Sequence, residues 1–213
     1  MDQNHRATLL REHYATLHSF WESVLERTGY CAILLGAGHQ RFFFHDDQGP
    51  TFRPNPLMVQ WLAQEKISEN SWFIFAKGTD PILFFHQPDD FWHAATTAPE
   101  SLCDHLSLRV FSDLGALHTA LQDHLKQCKS SGAEIAQISE DSPAAAEGCV
   151  INPPAVIHAL HFQRACKTEY ELTRMRQASI RGARGHRAAK QAFSSEASEF
   201  EIHLAYLKAT GMN

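Results

Sequence analysis

Short apolar runs rich in β-branched and aromatic residues alternate with helical segments through the chain as far as Ile151, and then the runs stop. "YCAILLG", "LSLRVF" and "AEIAQIS" have the length and residue types of buried strands. "SWFIFAKGTDPILFFH" reads as a hairpin, two apolar runs joined across the turn-rich "KGTDP". "RFFFHDD" reads as a further strand ended by "DDQGP", and the stretch from there through "TFRPNPLMVQWLA" as a loop. Helical periodicity runs from His5 to Thr28 through Leu9, Tyr14, Leu17, Trp21 and Val24, with Gly29 as the stop. It returns in "SDLGALHTALQDHLKQC", where Leu114, Leu117, Leu121 and Leu125 share a face. "QPDDFWH" reads as a surface loop or short helix, and "SPAAAEGC" as a short helix with Pro143 in its first turn. Strands alternating with helices predict an α/β layer structure.

The character changes at "INPPAVIH", where the prolines after Asn152 end a strand and open a helix. From Pro153 onward the pattern is all helix, with no sheet to cover. Thr168 and Glu171 have capping-box spacing at the head of a long helix. Its stripe is Leu172, Met175, Ser179, Gly182, His186, Ala189 and Phe193, and the small residues in mid-stripe predict a closely approaching backbone there. The last helix has a second capping box at Ser198 and Glu201, a stripe of Phe200, Leu204 and Leu207, and Gly211 where a left-handed C-cap belongs. A helix delimited so fully is expected to hand the chain on to a further element.

The 213 residues suffice for a real core, and 44% hydrophobic with 20% charged residues are globular values. A net charge of −5 gives no basic footprint for nucleic acid. No apolar run approaches the ~20 residues that span a bilayer. The N-terminus lacks the basic start and apolar core of a secretory signal, so the expectation is a cytoplasmic protein. Five scattered cysteines, odd in number and never C-x-x-C, predict reduced thiols packed as small apolar groups. His158 and His161, or His86, Asp89, Asp90 and His93, invite a metal reading, but neither cluster has recognisable ligand spacing and H-E-x-x-H is absent. "GAG" at Gly36–Gly38 lacks the third glycine of a dinucleotide fingerprint, and neither a P-loop nor G-x-S-x-G occurs. No catalytic constellation is complete in this chain.

"FRPNPLMVQW", "PDDFWH", "VIHALHFQRACKTEYELTRMRQA" and "GHRAAKQAF…SEFEIHLAYLKATG" together resemble the bacterial Xaa-Pro dipeptidases (prolidases), a group close to the organophosphorus acid anhydrolases. The resemblance runs from the first helix to Gly211 and is most specific from Asn152 onward. It implies a creatinase/prolidase-type α/β domain with a mixed sheet flanked by helices over residues 1–152. Residues 153–213 would then be the first helices of a pita-bread catalytic domain. It implies a homodimer that hydrolyses dipeptides with a C-terminal proline using two divalent metals, usually manganese. The family's metal ligands would all fall beyond Asn213, so no metal is expected to bind this chain and the 213 residues alone are expected to be inactive. By the same resemblance an acidic loop residue and a loop tryptophan close the neighbouring subunit's substrate pocket. The matching positions are Asp47, with Asp46 beside it, and Trp92. "HDDQGPT" departs from the aromatic-rich stretch usual after the acids. The alternative reading, from a different class, is a stand-alone binding or dimerisation module without catalysis.

Overall fold

The computed structural model describes residues 3–63, 65–89, 91, 96–129, 132–140, 145 and 148–211. They form two compact units, one of residues 14–165 and one of residues 1–13 with 166–213. The first is built on a six-stranded mixed sheet. Its strands are β1 (Ala32–Gly36), β2 (Trp72–Ala76), β3 (Ile82–His86), β4 (Ser107–Phe111), β5 (Ile135–Ile138) and β6 (Cys149–Ile151), in the order β4-β3-β2-β1-β5-β6. β2 is antiparallel to both neighbours and every other pairing is parallel, so the remaining five strands run one way. The expected hairpin is β2–β3, with Trp72 opposite Phe84.

Side chains alternate across the sheet, as a period of two requires. Ala32, Leu34, Trp72, Ile74, Phe84 and Ile135 share one face with Leu117, Leu121 and Leu125 of α3 (Leu114–Cys128). On the other face Phe73 and Phe75 meet Trp21 of α1 (Gln3–Thr28) and Trp61 of α2 (Pro56–Leu62), and the two indoles stand edge-to-face at 5.3 Å. All four rings are fully buried, so this aromatic cluster is a dominant part of the core. α4 (Pro154–Ala165) adds Val156 and Leu160 to the buried residues.

Two expectations fail in this unit. "RFFFHDD" is not a strand: both edges of β1 are taken, by β2 and β5, so the chain leaving Gly36 finds no partner strand. It folds back on itself, with Phe43 N–H donating to Gln48 O at 2.8 Å and His45 in the left-handed region at φ 55°. The stretch read as continuous loop contains α2, started by the Asn55 side chain accepting from Leu57 N–H and by Pro56 in the first turn. Of the helix expected at "SPAAAEGC", five of the eight residues lie outside the described residues, and the last, Cys149, opens β6.

The second unit holds α5 (Glu169–Ser194) and α6 (Glu199–Thr210). Both predicted capping boxes form, at Thr168/Glu171 and Ser198/Glu201, and Gly211 caps α6 at φ 66°. His13 Nδ1 lies 2.8 Å from Thr168 Oγ1 and its ring 5.3 Å from Tyr170, which ties the first turns of the chain to the head of α5. The close approach occurs one turn from its expected place. A Cβ at Gly182 would meet nothing, whereas one at Gly185 would sit 2.6 Å from Tyr206 and Thr210. Of the stripe expected on α6, Phe200 and Leu204 are 69% and 45% exposed, while Leu207 is half-buried. Among the described residues no helix is long and apolar enough to cross a membrane.

Candidate functional site

Because β1 and β3 run in the same direction with β2 between them, the loops that follow them leave the sheet at one end. The first loop carries Asp47. Gln40 closes its neck: the backbone N–H donates to the Glu69 carboxylate at 2.7 Å, and Nε2 donates to Arg41 O and Pro50 O at 3.1 and 2.8 Å. Gly49 is required there, since a Cβ would overlap the Arg41 carbonyl oxygen. At the tip Asp46 Oδ1 accepts from Gln48 N–H at 3.0 Å, the local turn an aspartate favours. Asp46 is therefore occupied in shaping the loop. Asp47 is exposed and makes no hydrogen bond or ion pair with any described residue.

Phe42, Phe43 and Phe44 stand beside these acids at 63%, 59% and 93% exposure. The second loop begins at Gln87, whose N–H donates to Phe111 O at 2.8 Å, and Phe91 on it is 90% exposed. Trp92 lies outside the described residues, as do Asp90 and His93. One end of the sheet thus presents a free carboxylate among large exposed aromatics. The aromatic tip is a feature that strand patterning hid. An Arg before "FFF" and His-Asp-Asp after it were the signal that the run is not buried.

Among the described residues the other candidate chemistries do not assemble. His86 is buried with Nδ1 3.2 Å from Glu69 O, while His158 and His161 are exposed on α4. Among the described residues no group of three or more His, Cys, Asp or Glu side chains converges as a metal ion needs, so these residues do not fit a two-metal centre. None of the five cysteines is in a disulfide. Cys128 Sγ and His124 Nε2 are 3.6 Å apart beside a cavity of about 850 Å³ at the opposite end of the sheet. Burial first, and then Cys31, push the Cys128 thiol up, while burial first, and then Arg109, push the His124 imidazole down. A thiolate–imidazolium pair needs the opposite shifts, so this is a packed neutral pair and not a nucleophile.

Residues 8–162 match the family described as Xaa-Pro dipeptidase, N-terminal domain. The chain is 36% identical over 200 residues to a Xaa-Pro dipeptidase 2 of Idiomarina loihiensis, covering 93% of this chain and 44% of that protein. It is 36% identical over 208 residues to a Xaa-Pro dipeptidase of Erwinia tasmaniensis, covering 96% and 45%. A Xaa-Pro dipeptidase of Stenotrophomonas maltophilia is 32% identical over 216 residues, covering 100% and 46%. The chain therefore spans under half the length of these relatives. The crystal structure of the prolidase from Pyrococcus horikoshii shares the fold at a TM-score of 0.53 and 12% identity, over 92% of this chain and 48% of that one. The chain belongs to the Xaa-Pro dipeptidase family, to which it corresponds through the N-terminal α/β domain.

Proposed function

We propose that this domain serves a homodimeric enzyme that hydrolyses dipeptides ending in proline with two divalent metals, manganese in the first instance. Its part is to support dimerisation and to close the partner subunit's substrate pocket. Asp47 meets the free amino group of the substrate, and Trp92 walls the pocket by apolar contact. The observation that carries this reading is the free Asp47 carboxylate on an anchored loop with Phe42, Phe43 and Phe44 exposed beside it. Each such ring gains about 1.5–3 kcal/mol when a protein surface covers it, so the loop favours a partner over water. An exposed carboxylate attracts a cation weakly in water and more strongly in a pocket that excludes water. Common exit of the two loops from one sheet end supports their acting on one substrate.

The domain acts on substrate fit, and metal chemistry belongs to the catalytic domain of the enzyme. The pure 213-residue chain, incubated with manganese and a Xaa-Pro dipeptide, is expected to release no proline. Manganese-dependent proline release by this chain overturns that division of labour.

A further inference from the structure

We propose that the crevice at the carboxyl ends of β1 and β5 binds a small oxyanion, a carboxylate- or phosphate-bearing molecule, through Arg53. The chain leaves β1 toward β2 on one side of the sheet, and after β4 and α3 it returns to β5 on the other side of β1. The β1/β5 boundary is therefore the point where the winding reverses, and crevices outside the carboxyl ends of strands at such points are where open α/β sheets take ligands. A cavity of about 640 Å³ lies there, between the strand ends and α4, with Arg53, Glu140, Asn152 and His161 at its polar side and Ile138 and Ile157 at its apolar side. That is the size and composition of a small-molecule site.

Arg53 also borders a neighbouring cavity of about 420 Å³ that contains Arg41 and His39. Arg41 has its counter-ion, Glu140, at 3.3 Å. Arg53 is exposed and has no hydrogen bond or ion pair with any described residue. Glu140 lines both cavities as well, but its ion pair is with Arg41, which leaves the Arg53 guanidinium available to a bound anion. A guanidinium presents a fork of donors that matches carboxylate and phosphate oxygens.

The floor of the crevice is held rigidly. Asn152, in the left-handed region at φ 51°, donates from Nδ2 to Ser139 O at 3.0 Å and accepts at Oδ1 from Ser139 N–H at 3.2 Å. Asn55 Nδ2 donates to Ile138 O at 3.2 Å. Asparagine tolerates that conformation because its side chain bonds locally, and here the two bonds to Ser139 hold it in place. The site is independent of the proposed dipeptide chemistry, since its residues do not include Asp47 or Trp92.

The test is an NMR titration of the 213-residue chain with sodium phosphate and, separately, sodium succinate, against sodium chloride at matched ionic strength. Saturable shifts at Gly36–Gly38, Arg53 and Asn152 are expected with at least one of the two. Saturation by phosphate alone, by succinate alone, or by both tells a phosphate ligand, a carboxylate ligand and a general oxyanion site apart. Arg53→Ala is expected to weaken binding about tenfold and Arg53→Lys by less, because the fork is lost but the charge is kept. Arg27→Ala, at a remote exposed position, leaves it unchanged. No saturable shift with either anion, or unchanged affinity in a folded Arg53→Ala protein, overturns the proposal. Because the readout is binding and not turnover, failure here leaves the dipeptidase reading untouched, and the reverse holds.

Discussion

Gly182 and Gly185 sit one turn apart on α5 and respond differently to one added methyl group. At Gly185 it would lie 2.6 Å from the Tyr206 ring and from Thr210 Cγ2, while at Gly182 it meets open space. Gly185→Ala is expected to destabilise the folded chain by about 1–3 kcal/mol through overpacking. Gly182→Ala is expected to stabilise it by about 0.5–1 kcal/mol, because alanine loses less backbone entropy in a helix. Urea unfolding of both variants checks this, and equal effects would mean that α6 does not pack on Gly185. The sequence could not decide between them. "RGARG" places two glycines three apart, within one band of the helix surface, and only the partner helix selects which one is crowded. Asp47 poses the same problem in another form. "HDD" marks both acids equally, and the hydrogen bond from Gln48 N–H to Asp46 is what leaves Asp47 as the free one.

Elements were most legible where their ends carry their own chemistry. Both capping boxes, the αL glycine after α6 and the turn between β2 and β3 are local codes, and all of them form. Ser198→Ala is expected to cost about 0.5–2 kcal/mol, the usual loss for an N-cap hydroxyl. The hydrogen bond from the Ser198 backbone N–H, and next that from its hydroxyl, hold the Glu201 carboxyl below the ordinary glutamate range. Its folded pKa is thus lower than its unfolded one. The stability it contributes is full above the unfolded value and is lost as pH falls through the folded value. Glu201→Ala should therefore be less stable than the parent at neutral pH and converge with it in acid. Thermal melts across that range test the sign, and a gap that widens in acid contradicts it. The misread elements lacked local codes. "RFFFHDD" has the aromatic content of a strand, yet its fate is set by β2 and β5 occupying both edges of β1. α2 was hidden because seven residues give too little periodicity, although Asn55-Pro56 was a readable start.

At the scale of the whole molecule, the α/β class and the individual strands could be read, but the strand order could not. The order sets the geometry of the proposed site: with β2 alone reversed, the loops after β1 and β3 leave at one end, and the free carboxylate stands there among exposed rings. No periodicity encodes that arrangement, because it depends on pairings between distant segments. If Asp47 of one subunit meets the substrate held by the other, as proposed, mixed dimers will reveal it. In the enzyme carrying this domain, Asp47→Asn is expected to raise KM about tenfold for Xaa-Pro dipeptides with a free amino terminus, the loss of one charge-assisted contact, and to leave N-acetylated analogues unchanged. The 213-residue chain, with its natural Asp47, is then combined with the Asp47→Asn enzyme and the mixed dimer is verified by native mass spectrometry. The KM of the mixed dimer is expected to return to the unsubstituted value. A mixed dimer whose KM stays raised, or an Asp47→Asn enzyme whose KM never rose, contradicts it.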